Sequence, residues 1–284
     1  MSAGFDVVGA FDNWVAAHDA YALNVADHVD VVDLGCWEDA AERVSALAPD
    51  VVVGSPPCQD FSHAGPRSEG HNASLTVAFG RIVAAVGPTA FLMENVPRTA
   101  RSVAYSEMWG ILRSQGYVSF EKVLSADLYG VPQKRRRLFV FGVRSQMSDA
   151  LVTWSSELDR LASSESMSVR EFMGDEIDFE HFSVHPRNYK RRAVFSVDGP
   201  APTVRGVNRP GNCPGYPGHH LDSAPMSEAH SLTTRERARL QSFPAWFEWP
   251  GQNRNAVAEK LIGNAVPPLL ARAVGVAALK ALLP

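Results

Sequence analysis

The chain has 284 residues, 45% of them hydrophobic and 20% charged, which is enough to bury the core of one large domain with or without a smaller lobe. Its formal net charge of −4 excludes a polycation, so any nucleic-acid contact must come from a local basic surface. The three cysteines, Cys36, Cys58 and Cys213, are far apart and form no CxxC pair, which argues against a disulfide framework or a metal site and for a reducing compartment. The sequence shows neither a signal peptide nor an apolar run long enough to span a bilayer, so we expect a soluble, cytoplasmic protein.

Short apolar runs predict strands in the first half of the chain, at residues 5–11, 29–34, 51–54, 90–96, 117–124 and 138–143. Continuous runs of this kind are typical of strands covered on both faces, as in a parallel sheet. Helices are predicted between them, over residues 15–24, about 75–86 and about 106–115. The alternation predicts a doubly wound α/β domain over residues 1–145.

After residue 145 the alternation of strand and helix ends. Residues 184–225 are rich in Pro, Gly and Arg and show little periodicity, so we expect residues 146–230 to form a small irregular lobe. Helical patterns return in residues 231–284, which we expect to rejoin the first domain. Thr233 and Glu236 match a capping box, and Pro268 lies near the first turn of the last helix.

Reactive side chains stand at the ends of three predicted strands. Cys58 follows one strand in the segment GSPPCQDFS, and Glu94 ends another in AFLMENV. Ligands of open sheets bind outside the carboxyl ends of the strands, and a Glu at the end of an apolar strand needs a partner or a chemical role. Gln133, Arg135 and Arg137 precede a further strand. Singly these would be a core cysteine, a salt-bridge partner and a solvated turn, but together they predict a catalytic site.

The sequence resembles the DNA cytosine-5 methyltransferases. The resemblance rests on PPCQDFS, ENV at 94–96, GVPQKRRRLFVFG, RERARLQSFP at 235–244 and GNAVPP at 263–268, in that order. It runs from about residue 4 to the end of the chain and is weakest over 145–230, the family's variable target-recognition region. It implies a Rossmann-like sheet of the S-adenosylmethionine-dependent methyltransferase type with a small target-recognition lobe.

The resemblance also implies the roles of the catalytic residues. Cys58 would attack C6 of a flipped target cytosine as a thiolate, so that C5 can accept a methyl group. Glu94 would hold N3 and the exocyclic amine of the base and stabilise the charge that develops on the ring. Arg135 and Arg137 would orient the base and the adjacent phosphate and favour the thiolate.

The same resemblance assigns the contacts to S-adenosyl-L-methionine. The implied residues are Asp12, Asn13, Asp33, Leu34, Pro57, Asn264, Ala265 and Val266. The strand and glycine-rich loop that open the family are not found here, and GNCPGYPG at 211–218 follows no strand. We expect a longer form of the protein or a separate short polypeptide to supply them, the chain otherwise being a monomer.

Basic residues cluster between positions 184 and 209, against a single acid, Asp198, and predict a surface for double-stranded DNA. The predicted DNA contacts are Gln59, Ser62, Gln133, Arg191, Arg192, Thr203, Arg205 and Arg209. Three alternatives stay open: a non-catalytic DNA-binding relative, an RNA-directed relative, and a cysteine hydrolase. The last would need a histidine base near Cys58, for which His63 is the near candidate in sequence.

Overall fold

The computed structural model describes residues 3–57, 71–209, 213–250 and 255–283. The described residues divide into two compact units. Among the described residues, the sheet unit draws on 3–57, 71–124, 136–160 and 274–283, and the lobe unit draws on 125–135, 161–209, 213–250 and 255–273. This division differs from the boundaries predicted at residues 145 and 230, because segments distant in sequence pair within each unit.

In chain order the strands are β1 (Ala10–Asp12), β2 (Val29–Val31), β3 (Val51–Gly54), β4 (Ala90–Asn95), β5 (Tyr117–Ser125), β6 (Gln133–Lys134), β7 (Arg136–Arg144), β8 (His181–Ser183), β9 (Val194–Ser196), β10 (Ala201–Pro202) and β11 (His230–Ser231). The helices are α1 (Val15–Asn24), α2 (Trp37–Ala46), α3 (His71–Val86), α4 (Val103–Ser114), α5 (Asp149–Leu161), α6 (Val169–Met173), α7 (Thr234–Leu240), α8 (Asn255–Asn264) and α9 (Pro268–Leu282). The alternation predicted for the first half is confirmed.

The sheet unit contains a four-stranded sheet in the order β3-β4-β7-β5, and β1 pairs in parallel with β2. β3 is parallel to β4, whereas β7 is antiparallel to β4, so the sheet is mixed and not wholly parallel. The antiparallel register sets Asn95 opposite Leu138 and Glu94 opposite Phe139. The start of β7 therefore lies beside the carboxyl end of β4, which brings Arg137 next to Glu94.

Helix α3 packs against both sets of strands in this unit. Its residues Phe79 and Val83 belong to a core with Phe91 of β4, and its residue Ile82 belongs to a second core with Val32. Val53 of β3 nevertheless remains 71% exposed among the described residues. That a further strand and glycine-rich loop complete this region stays a prediction.

Helix α5 belongs to the sheet unit, although the sequence analysis places it in the irregular lobe. Its Trp154 is fully buried, and its ring lies 5.4 Å from that of Phe141 on β7. Ala150, Trp154 and Leu158 are buried at helical spacing. The spacing of these three residues indicates a helix, but the Ser, Thr and Glu residues between them make the apolar pattern too weak to recognise in the sequence.

The lobe unit is built on a three-stranded sheet in the order β11-β8-β9 and on the short pair β10-β6. Its core gathers residues from distant segments: Val169, Phe182, Val197, Val204, Leu240 and Ile262. The predicted capping box of α7 is confirmed, because the Thr233 hydroxyl accepts from the Glu236 N–H and the Glu236 carboxylate accepts from the Thr233 N–H. The lobe is therefore folded around a hydrophobic core, despite its irregular sequence.

One stretch, Ala256–Leu282, is long and apolar enough to cross a membrane by length and composition. The sequence analysis did not expect such a run. The stretch comprises most of α8 and all of α9, and its residues Ile262, Leu270 and Ala277 are fully buried in the protein. A core helix meets the same criterion, so this stretch is weak evidence for a membrane span.

Candidate active site

Glu94 is held at the carboxyl end of β4 by two partners in the sheet unit. Its carboxylate forms an ion pair with the Arg137 Nε at 2.9 Å, and it also accepts a hydrogen bond from the Ser55 hydroxyl. The side chains of Glu94 and Arg137 are only 11% and 14% exposed. The guanidinium and the hydroxyl together hold this mostly buried carboxylate in one orientation at the edge of the sheet.

The segment that leads to Cys58 is fastened to the same strand end. The Asn95 side-chain amide donates to the carbonyl of Pro56 at 3.1 Å, and its oxygen accepts from the Thr99 hydroxyl and from the Val96 N–H at 2.8 Å each. Asn95 is almost fully buried. Pro57, which is half-buried, follows this anchor directly. The prolines and Asn95 together set the path of the chain into the predicted nucleophile.

Cys58 itself lies outside the described residues, as do Gln59, Ser62 and His63. The two described cysteines have different surroundings from a nucleophile at a strand end. Cys213 is buried, and burial raises the pKa of its thiol, which keeps it protonated and inert. Cys36 is exposed, with its sulfur 4.0 Å from an Asp33 carboxylate oxygen. The predicted role of Cys58 stays a prediction.

Two of the predicted cofactor residues lie at the carboxyl edge of the β1-β2 pair. Asp12 ends β1, and Asp33 stands two residues beyond β2. One oxygen of each carboxylate accepts from the backbone N–H two residues later, that of Trp14 at 2.8 Å and that of Gly35 at 2.9 Å. Both carboxylates are exposed, so they are oriented acceptors. Asn13 is also exposed, whereas Leu34 packs against the core that contains Val32.

A cavity of about 310 Å³ opens beside the turn after Asp33. Gly35, Trp37 and Ala78 contribute to its lining, and the Arg81 guanidinium lies 5.7 Å from the centre of the Trp37 ring. The sequence analysis missed this cavity. Trp37 follows the predicted site residue Leu34 by three positions, and the rarity of tryptophan was the only indication of a site there. The helices that complete the cavity, α3 and α4, come later in the chain.

Gln133 and Arg135, predicted to contact DNA and the base, lie in the interior of the lobe unit. Gln133 is fully buried and Arg135 is 1% exposed. The Arg135 guanidinium donates to the backbone carbonyls of Val204, Gly263 and Ala265 at 2.8–3.0 Å. Both side chains are hydrogen-bonded to interior partners of the lobe unit, and the predicted contacts of Arg135 with the base and of Gln133 with DNA stay predictions. In the pattern Gln-x-Arg-x-Arg, Gln133 and Arg135 are therefore buried in the lobe unit, whereas Arg137 belongs to the sheet unit.

The closing segment of the predicted cofactor site follows α8 in the lobe unit. Asn264 is exposed at the helix end, and Ala265 and Val266 are half-buried after it. Gly263 just before them packs directly on another loop, since a Cβ there would lie 2.0 Å from the Gly206 nitrogen. This part of the chain therefore has no room for a side chain at position 263.

The predicted DNA residues of the lobe fall into two groups. Arg191 and Arg209 are exposed, as is Thr203, whose hydroxyl donates to the Lys134 carbonyl at 2.7 Å. Arg192 is partly folded back, because its Nε donates to the Val194 carbonyl at 2.8 Å and its guanidinium lies 4.5 Å from the Phe195 ring centre. One donor and one face of the Arg192 guanidinium are therefore already occupied within the protein.

Arg205 and Arg209 line a cavity of about 320 Å³ with His185, Asn208 and Arg237. The Arg205 guanidinium donates to the His185 carbonyl. Burial, reinforced by repulsion from Arg187, Arg237 and Arg209, lowers the pKa of Arg205. The buried carboxylate of Glu259 is bound by Arg237 at 2.5 Å. The cavity thus concentrates positive charge and favours an anionic ligand. Among the described residues, no group of three or more His, Cys, Asp or Glu side chains could hold a metal ion.

Solved structures define the class to which this fold belongs. Entamoeba histolytica methyltransferase EhMeth superposes with a TM-score of 0.71 at 14% identity, covering 97% of this chain and 90% of that structure. A putative DNA modification methyltransferase encoded in an E. coli prophage gives 0.69 at 22% identity, with 99% and 94% covered. S. pombe Dnmt2 methyltransferase gives 0.67 at 20% identity, with 98% and 90% covered. The fold is that of the S-adenosylmethionine-dependent methyltransferases.

Sequence comparison gives the family. The family model described as C-5 cytosine-specific DNA methylase matches residues 1–189 and 179–280. Type II methyltransferase M.HgiDI of Herpetosiphon aurantiacus is 40% identical over 272 residues, which cover 95% of this chain and 86% of the relative. M.HindV of Haemophilus influenzae is 37% identical over 279 residues, with 96% and 88% covered. The chain belongs to the C-5 cytosine-specific DNA methylase family and is a DNA cytosine methyltransferase.

Proposed function

We propose that this protein transfers a methyl group from S-adenosyl-L-methionine to C5 of cytosine in double-stranded DNA, with Cys58 as the nucleophile. The observation that carries the proposal is the Glu94–Arg137 pair, fixed beside the segment 55–57 that leads directly to Cys58. A carboxylate, a guanidinium and a positioned thiol are the groups that a covalent attack on a cytosine ring requires.

Cys58 and Glu94 have separate roles in the reaction of the base. The Cys58 thiolate forms a bond to C6, and the ring electrons that this displaces make C5 nucleophilic. Glu94 accepts a hydrogen bond from the exocyclic amine, and a proton held between its other oxygen and N3 offsets the negative charge that thiolate attack places on the ring. That proton stays with the carboxylate when Cys58 leaves. After C5 has gained its methyl group, a base removes the C5 proton and the bond from C6 to sulfur breaks. Cys58 then leaves as a thiolate, so the protein is regenerated.

Arg137 supports this chemistry through charge. It compensates Glu94 in the resting structure at 2.9 Å through its Nε. Its terminal NH1 donates to the Arg136 carbonyl at 2.9 Å, which holds the guanidinium plane in one orientation. A planar fork held in this way can bind the base carbonyl or the adjacent phosphate and lower the cost of a thiolate nearby.

Carboxylates at the edge of the β1-β2 pair fit the cofactor. Asp12 and Asp33 each present a carboxylate whose direction is set by a backbone N–H, and acceptors so placed suit ribose hydroxyls and an amine. From the family resemblance, the proposal also assigns Asn13, Leu34, Pro57, Asn264, Ala265 and Val266 to this ligand. When bound, S-adenosyl-L-methionine supplies an electrophilic methyl group.

The lobe unit supplies the DNA surface in this proposal. Arg191 and Arg209 are exposed and neutralise phosphates, while Arg205 in its cavity holds an anionic group more closely. Thr203 stands two residues before Arg205 in the chain, and its hydroxyl, which donates to the Lys134 carbonyl, can still accept a hydrogen bond. Extruding a base from duplex DNA costs a few kcal/mol, and contacts of this kind repay part of that cost.

Substitution of the three cysteines tests the proposal. The protein is incubated with radiolabelled S-adenosyl-L-methionine and plasmid DNA from a host without methyltransferases, and bisulfite sequencing locates 5-methylcytosine. Cys58→Ser should abolish transfer, whereas Cys36→Ser and Cys213→Ser should retain it. A duplex with 5-fluorocytosine at the methylated position should trap the wild-type protein covalently. Full transfer by Cys58→Ser would refute the proposed mechanism.

A further inference from the structure

The end of α8 is capped by side chains from a distant part of the lobe unit. The last carbonyls of a helix have no partner within the helix, and a cation is favoured beside them. Here Arg135 donates to the carbonyls of Gly263 and Ala265 at 2.8 and 3.0 Å. The Gln241 amide donates to the carbonyls of Ile262 and Ala265 at 2.5 and 3.3 Å. Two buried side chains thus hold the segment that begins at Asn264.

Arg135 and a third buried side chain, that of Gln133, also hold the loop that carries Thr203 and Arg205. Arg135 donates to the Val204 carbonyl at 3.0 Å, and the Gln133 side-chain oxygen accepts from the Val204 N–H at 2.9 Å. Gln133 in turn donates to the Gln241 side-chain oxygen at 2.8 Å. Gln133, Arg135 and Gln241 are each at most 1% exposed. The backbone on either side of Val204 is therefore tied to the end of α8 through one continuous buried network.

Backbone contact adds to this connection. A Cβ on Gly263 would lie 2.0 Å from the Gly206 nitrogen and 2.2 Å from the Arg205 carbonyl carbon. A Cβ on Gly206 would lie 3.3 Å from the Lys260 Cα. Because the two segments touch without intervening side chains, neither can shift without displacing the other.

We propose that Gln133, Arg135 and Gln241 are positioning residues that couple cofactor binding at residues 264–266 to DNA binding at residues 203–205. The inference rests on the proposed function, which assigns those two segments to the two ligands. A ligand that orders either segment removes mobility from the other through the shared network. The second ligand then loses less conformational entropy on binding, so each ligand tightens the binding of the other.

The directions of the amide hydrogen bonds make Gln241 the sharpest position to test. Its nitrogen faces carbonyls, and its oxygen faces the nitrogen of Gln133. Gln241→Met keeps length and approximate volume but removes all of these bonds. Gln115→Met is the matched control, because Gln115 is an exposed glutamine at the end of α4 in the sheet unit. Loss of packing alone would lower stability in Gln241→Met without changing how one ligand affects the other.

The experiment measures dissociation constants of S-adenosylhomocysteine, which cannot be turned over, and of a duplex with the methylated site. Each constant is measured with and without the other ligand, for wild type and both variants. In wild type and Gln115→Met, each ligand should tighten the other by the same factor, about fivefold or more. In Gln241→Met that factor should fall below about twofold. A wild-type factor in Gln241→Met, or no mutual effect in wild type, would overturn the inference.

A measurement on the wild-type protein keeps the inference testable if Gln241→Met does not fold. S-adenosylhomocysteine alone should slow hydrogen exchange of the Val204 amide, which is bonded to Gln133, by about fivefold or more. Unchanged exchange at that amide would contradict the coupling. Methyl transfer is measured on the same preparation: absence of transfer would count against the proposed function, whereas transfer without coupling would count against this inference alone.

Discussion

Replacing Glu94 by Gln separates the charge of this side chain from its shape. In the structure its carboxylate accepts from the Ser55 hydroxyl and from the Arg137 Nε at 2.9 Å. A Gln oxygen can still accept from Arg137, and the Ser55 hydroxyl can rotate to accept from the new amide. The resting arrangement should survive, with the charge-assisted bond weakened by about 1 kcal/mol. We therefore expect a small change in thermal stability.

The effect on the reaction should be larger, because in the proposed mechanism the base gains charge only as Cys58 attacks. Loss of one preorganised electrostatic contact of this kind costs about 2.7–4 kcal/mol in the transition state, or about 10²–10³-fold in rate. Glu94→Gln should therefore lower kcat by about 10²-fold or more and change the Kd for DNA little. The assay is the initial rate of labelled methyl transfer at saturating DNA and cofactor, with DNA affinity measured separately.

Glu107→Gln is the matched control for that experiment. Glu107 also faces an arginine in the sheet unit, Arg81 at 3.8 Å, but the pair is about half exposed. An exposed pair contributes about 0–1 kcal/mol to stability, and its rate should stay within about twofold of wild type. If Glu94→Gln retained the wild-type rate while its affinity for DNA collapsed, Glu94 would be a DNA-binding residue and the reasoning would be refuted.

Two further predictions concern the lobe unit. Burial and the hydrogen bond to Asp222 raise the pKa of Tyr216 to about 12. The neutral hydroxyl therefore contributes its full stabilisation below about pH 10, the pKa of an unfolded tyrosine, and that contribution is lost as the pH rises through about 12. A pH series of thermal unfolding should show this alkaline loss in wild type and not in Tyr216→Phe; equal curves would contradict it. Arg209→Ala should reduce the slope of log affinity for DNA against log salt by about 0.9, whereas Arg113→Ala, exposed on α4, should leave the slope unchanged.

Local signals in the sequence were sufficient for elements whose determinants are close in the chain. The limits of α1 and β3 and the capping box of α7 follow from neighbouring residues and agree with the structure. The place of Glu94 at a strand end followed in the same way. Its pairing with Arg137 depends on the antiparallel register of β4 and β7, which apolar runs do not specify.

The roles of Gln133 and Arg135 could not be predicted from their own motif. Their partners Val204, Leu240 and Gly263 lie 69 to 128 residues away in the chain. A basic run such as QKRRR indicates a charged surface, and nothing within the run marks which arginine is buried. The role of Gln241 could not be predicted either. A glutamine after a helix indicates no function by itself, and its two carbonyl partners lie at the end of α8.

The close contact between Gly206 and Gly263 limits which positions of the proposed DNA surface can vary. A side chain at position 263 would collide with the backbone of residues 205 and 206, and one at 206 would press on Lys260 of α8. Positions 207 and 209 are exposed and carry no such restriction, whereas the Asn208 amide donates to the buried Glu259 carboxylate at 3.1 Å. An engineer seeking a new DNA preference would therefore randomise positions 205, 207 and 209 and leave Gly206 and Asn208 unchanged.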